Sequence, residues 1–152
     1  MKKSSEKITR EQMIKFLNED LSREYQAVIA YIVYSQTIKG AKYNAIAAEL
    51  EKHAGEELGH AIQIAKQIDY FNGTPVTMPK PVKMSDKAED MLRFDLENER
   101  VTIIAYRERI RQAEAMGEFA LSETLRKIIA QEQEHLTDLA NALGIETPAI
   151  VE

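Results

Sequence analysis

The chain has no cysteine and no tryptophan, and only four prolines and six glycines in 152 residues. Without cysteine there is no disulfide scaffold, no zinc–thiolate finger and no cysteine-bound iron–sulfur cluster. No run of eighteen apolar residues occurs, so no segment is expected to span a membrane. The opening MKKSSEKITR is basic but has no apolar stretch behind it, which is unlike a secretory signal. A formal charge of -5 disfavours a nucleic-acid clamp, which would carry a basic excess. Lys2, Lys3 and Lys7 read as a solvated tail. These absences leave a single domain, expected in the cytoplasm and large enough to bury a core. Residues 1–8 read as a flexible N-terminal tail and 145–152 as a C-terminal tail.

What remains is helical. Glycine and proline are sparse in 9–39, 41–71, 86–116 and 118–143, and apolar residues recur there at helical spacing: Ile14, Leu17, Leu21, Tyr25, Val28 and Ile32 in the first stretch. Thr9 with Gln12 forms a capping-box signature, Ser85 or Asp86 is placed to cap the third helix, and Gly144 stands where a helix ends. Strand signals are missing. The pattern predicts four long helices in an all-α four-helix bundle, built as two helical hairpins. The long connector, FNGTPVTMPKPVKMS, is biased to extended backbone by Pro75, Pro79 and Pro81. Fourteen extended residues span roughly 45 Å, about the length of a 28-residue helix, so length permits both a crossover and a simple return.

The chemistry shows in the spacing of glutamate and histidine. Glu57-Leu58-Gly59-His60 and Glu132-Gln133-Glu134-His135 each place a carboxylate and an imidazole on one helix face. Such an ExxH is common by chance in a Glu-rich helix. Here it is doubled, because Glu24 precedes Glu57 by 33 residues and Glu99 precedes Glu132 by 33. Tyr31 and Tyr106 each follow their glutamate by seven residues, and the whole pattern repeats at an offset of 75. The midpoints of the two glutamate pairs fall near Gly40 and Gly117, so each hairpin turn brings its two glutamates to one height. Four carboxylates in a core repel one another unless cations neutralise them, and two divalent ions balance four charges. Oxygen and imidazole donors without thiolate suit iron or manganese, with zinc also able to bind.

This arrangement resembles the dinuclear iron site of the ferritin superfamily, and most of all bacterioferritin, over residues 10 to 145. DMLRFDLENE, residues 90–99, is similar to the stretch before the third-helix glutamate of bacterioferritins. The resemblance implies a crossover connector, two iron ions per subunit, Glu24 and His60 as terminal ligands of one iron, Glu99 and His135 of the other, and Glu57 and Glu132 bridging. Tyr31 and Tyr106 would hydrogen-bond the ligating glutamates from outside. The implied function is ferroxidase activity, oxidising Fe(II) with dioxygen or hydrogen peroxide for iron storage and detoxification in a hollow homo-oligomer.

The chain also departs from that pattern. Leu58 stands where bacterioferritins carry their haem-ligating methionine, which argues against haem. GIETPAIVE, with Pro148, stands in place of a fifth helix and favours a 12-subunit cage over 24 subunits. Thr102 stands where rubrerythrins have a further glutamate, which weakens the alternative of a soluble di-iron peroxidase or oxidase with fixed metals. Starvation-type DNA-protecting ferritins build their iron site between subunits and lack the doubled ExxH. Elsewhere, His53 reads as an ordinary exposed histidine rather than an aid to iron uptake, Glu56 and Glu134 as turned away from the ligand face, and Ile62 and Ile68 as a subunit interface.

Overall fold

The computed structural model describes residues 7–152, which form four long α-helices: α1 (Arg10–Thr37), α2 (Asn44–Tyr70), α3 (Ala88–Ala115) and α4 (Phe119–Leu143). The bundle is all-α, as the periodicity predicts. Lys2, Lys3 and most of the expected N-terminal tail lie outside the described residues. Among the described residues no helix is long and apolar enough to cross a membrane.

The helix ends follow local chemistry. Thr9 accepts from the Gln12 N–H while Gln12 accepts from the Thr9 N–H, completing the capping box. Gly144 closes α4 in the left-handed conformation, at φ 69°, and Ile145 N–H donates to the Ala140 carbonyl. The start of α3 differs from expectation. Its cap position is Lys87, and the Ser85 hydroxyl instead accepts from the Lys87 N–H while donating to Asp90. Serine therefore tightens the turn before the helix rather than capping it.

The connector resolves the topology that length left open. It runs the length of α1 and is fastened to it rung by rung. Asn18 donates to the Thr74 carbonyl and accepts from Val76 N–H, Ser22 donates to the Met78 carbonyl and accepts from Lys80 N–H nearby through its own carbonyl, and Gln26 donates to the Pro81 carbonyl. Tyr34, near the far end of α1, donates to the Lys83 carbonyl. These bonds satisfy the backbone of a proline-rich strand that has no sheet to join. Gly73 begins the crossover where a Cβ would lie 2.6 Å from the Ile14 side chain, so the chain can pass that close only without one. The crossover makes α2 and α3 parallel, and it sets each antiparallel hairpin beside the other.

Two apolar clusters fill the bundle. One contains Met13, Leu17, Leu21, Ile64, Ile68, Leu121, Leu125 and Ile128; the other contains Tyr34, Ile46, Leu50, Met91, Leu92 and Leu139. Ile68 is fully buried in the first, which overturns its assignment to an interface; it points inward because it is in step with Ile64 and Ala61 on α2. Ile62 is exposed, together with Leu58, Ile29 and Ile32. After α4 the chain turns back along α3, where Arg107 donates to the Ile150 carbonyl at 3.1 Å and Arg111 pairs with Glu152 at 2.9 Å. Among the described residues, 144–152 carry no helix.

Candidate metal centre

Between the two apolar clusters lies a polar layer contributed by all four helices. Glu24 comes from α1, Glu57 and His60 from α2, Glu99 from α3, and Glu132 and His135 from α4; every one of the six is at most 4% exposed. The structure thus brings together all six residues singled out by spacing. His60 Nδ1 lies 2.7 Å from Glu132, 3.3 Å from Glu57 and 3.7 Å from Glu24. His135 Nδ1 lies 3.1 Å from Glu57, 3.4 Å from Glu99 and 3.8 Å from Glu132. Two donor groups result, Glu24–Glu57–His60–Glu132 and Glu57–Glu99–Glu132–His135, and they share the two glutamates of the ExxH motifs. Glu132 turns one oxygen toward each histidine, as a bridging carboxylate requires.

The donor set fits cations and is costly without them. Glu24 Oε2, Glu57 Oε1, Glu99 Oε2, Glu132 Oε2 and His135 Nδ1 are buried with no hydrogen-bond partner. Orphaned acceptors converging in a dry layer are disfavoured unless a positive charge completes them. The electrostatics show the same conflict. Burial, and then the charges of Glu24 and Glu99, hold the Glu57 carboxyl well above the usual range. Burial, and then Glu57 and Glu99, do the same to Glu132. Burial also acts on Glu99, but the neighbouring Glu132 and His135 and the hydrogen bond from Tyr31 outweigh it and leave that carboxyl low. For His60, burial opposes the charge, yet its hydrogen bond to Glu132 and the nearby Glu24 carboxylate push it up to about 10. The histidines act as makeshift counter-ions for the carboxylates.

The tyrosines cross between hairpins. Tyr31 donates to Glu99 Oε1 at 2.6 Å and Tyr106 donates to Glu24 Oε1 at 2.5 Å, so each orients the glutamate of the other hairpin. Burial and the neighbouring carboxylates raise both phenols far above their ordinary value, keeping them protonated donors.

Three features went unread in the sequence or were misread. Glu56 is turned from the ligand face of its own helix, but it reaches across to α4, where its carboxylate lies 3.4 Å from His135 Nε2 and accepts from Gln131 at 2.9 Å. Gln131 in turn lies 2.5 Å from His60 Nε2. Glu56 and Gln131 are themselves 75 residues apart, so the repeat contained this pair, which orients the outer nitrogen of each histidine. His53, read as exposed, is 1% exposed, with its ring stacked on His135 at 4.0 Å. It is buried because α4 packs over the face of α2 that carries it. Finally, the related positions Asp20 and Asp95 are both buried, but only Asp20 is paired, with Arg109 at 2.8 Å and with Arg23. Glu134 is exposed, as expected.

A bundle with a crossover and a buried layer of four glutamates and two histidines defines a class of carboxylate-rich, metal-binding helical proteins. The chain belongs to the ferritin-like family, whose Ferritin-like domain matches residues 14–146. It is similar to a bacterioferritin of Desulfovibrio desulfuricans, 26% identical over 130 residues, covering 85% of this chain and 73% of the relative. Among solved structures, a ferritin-like, diiron-carboxylate protein from Bacillus anthracis str. Ames superposes with a TM-score of 0.85 at 33% identity, covering 88% of this chain and 96% of that one. A dodecameric thioferritin, the bacterioferritin-related protein of Bacteroides fragilis, superposes with a TM-score of 0.84 at 28% identity, covering 91% and 88%.

Proposed function

We propose that the protein is a ferroxidase that oxidises Fe(II) with dioxygen or hydrogen peroxide at this layer, for iron storage and detoxification in the cytoplasm. The observation that carries the reading is the set of orphaned carboxylate oxygens facing two imidazole Nδ1 atoms within a dry core. In this reading Fe(II) is the substrate. Glu24 and His60 hold one ion, Glu99 and His135 the other, and Glu57 and Glu132 span both. Two Fe(II) release two electrons, which reduce dioxygen to hydrogen peroxide or hydrogen peroxide to water; manganese or zinc could occupy the same donors. The chain's own contribution is geometric and electrostatic. Four carboxylates neutralise four positive charges and favour the higher oxidation state, while Tyr31, Tyr106, Glu56 and Gln131 fix the orientation of the donors.

Storage requires an enclosed volume, so the reading includes a closed homo-oligomer. Exposed Ile29, Ile32, Leu58 and Ile62 on α1 and α2 offer an apolar face for contact between copies. The dodecameric state of the Bacteroides fragilis relative favours twelve subunits. Leu58 is exposed where a haem ligand would stand and has no donor atom, so no haem is expected.

The fixed-metal alternative, a soluble di-iron peroxidase or oxidase, is disfavoured by Thr102, a buried non-ligand three residues after Glu99. Aerobic titration with Fe(II) separates the two. Many iron atoms oxidised and retained per chain support storage; about two, with turnover of peroxide, would replace storage by the fixed-metal enzyme. No oxidation would overturn both.

A further inference from the structure

Beside the dinuclear layer, α2 and α4 bring together a second set of donors that it does not use. His53 Nε2 lies 3.1 Å from Asp138 Oδ2, and a carboxylate oxygen of Glu49, one turn before His53 on α2, completes a group in which all three donor atoms lie within 4.8 Å of one another. His53 is buried, and its Nδ1 has no hydrogen-bond partner among the described residues. Asp138 has a side chain 42% exposed, so the group opens to solvent on one side and ends in a buried imidazole on the other.

We propose that Glu49, His53 and Asp138 form a third divalent-cation site, distinct from the dinuclear pair, for a borderline transition metal such as Fe(II) or Zn(II). Three observations converge on it. The donor set is one imidazole and two carboxylates, a mixture that binds such ions and leaves coordination positions open to water. The separation of 3.1 Å between His53 and Asp138 matches two neighbouring ligands on one ion, since bonds of about 2.1 Å at a right angle place their donors roughly 3.0 Å apart. Glu49 is carried to the same imidazole by helix geometry, one turn before His53, and it lines one surface cavity with Asp138, so both carboxylates face a single opening above the buried ring. The nearby Lys42 ammonium lies over the ring of Tyr43, 5.0 Å from its centroid.

The position gives the site a place in the molecule. His53 also belongs to a group with Glu56 and His135, and His135 belongs to the dinuclear layer. Donor atoms therefore form an unbroken ladder from solvent to the core, and the third site is its outer rung.

The test is metal stoichiometry on the intact protein, with Zn(II) as the probe. Equilibrium dialysis with elemental analysis should give three Zn(II) per chain, and crystals grown with Zn(II) should show anomalous density between His53 and Asp138. Asp138→Asn and Glu49→Gln, both at the solvent end, should each weaken one equivalent by at least tenfold while leaving two unchanged. Two Zn(II) per chain with no density at His53, or a third equivalent indifferent to both substitutions, would overturn the proposal. Density at His53 with none in the dinuclear layer would uphold this site and refute the dinuclear one.

Discussion

Tyr31 on α1 donates to Glu99 on α3 at 2.6 Å, a bond that joins the two halves of the sequence repeat across the centre of the bundle. Its counterpart, Tyr106 to Glu24, does the same in the opposite sense. Replacing Tyr31 or Tyr106 by Phe preserves the packing and removes the donor. Each variant should lose about 1–2 kcal/mol of stability by chemical denaturation, because a buried acceptor is left unmade. Fe(II) oxidation should slow by about 10–100-fold, the usual effect of removing an orienting partner from a metal ligand. Unchanged rates in both variants would deny the tyrosines an orienting role.

In the metal-free protein Glu24 and Glu99 repel Glu57, and Glu57, Glu99 and Glu24 repel Glu132. Glu57→Gln or Glu132→Gln keeps the shape and removes an ionisable carboxyl from the layer. The metal-free variants should melt at the same temperature as the parent or higher, while rapid Fe(II) oxidation, followed by absorbance in a stopped-flow instrument, should be lost. A destabilised metal-free variant would mean that these carboxylates are already compensated.

The related aspartates should respond oppositely. Asp20 is paired with Arg109, whose guanidinium also lies over the Phe16 ring at 4.7 Å. Arg109→Leu leaves a buried carboxylate with only Arg23 and should cost about 3 kcal/mol, since breaking a buried pair strands a charge. Asp95 has no such partner, its Oδ2 is orphaned, and burial together with Glu99 holds its carboxyl well above the ordinary range. Asp95→Asn should therefore raise the melting temperature, as differential scanning calorimetry would show.

Metal-free stability should fall as pH rises. Glu57 and Glu132 hold their protons more tightly in the folded than in the unfolded chain, so their stabilising share is present at low pH and is lost as pH climbs through their raised folded values. His60, moved from 6.5 to about 10, contributes fully below 6.5 and loses its share by pH 10. The two effects have the same sign, so the melting temperature should decline steadily from about pH 6 to pH 10. Saturating Zn(II) replaces the protons with a cation and should flatten that decline.

Sedimentation velocity tests the assembly. The native protein should sediment as a closed particle, with twelve chains favoured, and Ile62→Glu should reduce it to smaller species by placing a charge within the apolar face of Ile29, Ile32 and Leu58. A native particle no larger than a dimer would remove the basis for storage.

The four helices, their ends at Thr9 and Gly144, and the six converging residues were legible in the sequence because each depends on periodicity. A 3.6-residue repeat fixes which side chains share a face, and the offset of 75 fixes which heights coincide. Relations across helices were not legible, because they depend on how faces meet. Periodicity turned Glu56 away from its own ligand face, yet α4 places His135 opposite it; the same packing buries His53 and joins it to Asp138, 85 residues away. Connector length allowed two topologies, and only the rungs from Asn18 to Tyr34 decided for the crossover. The repeat also made Asp20 and Asp95 equivalent. Only the tertiary structure separated them, by supplying Arg109 to one carboxylate and none to the other, since a buried charge is governed by what lies across from it rather than by its place in the chain.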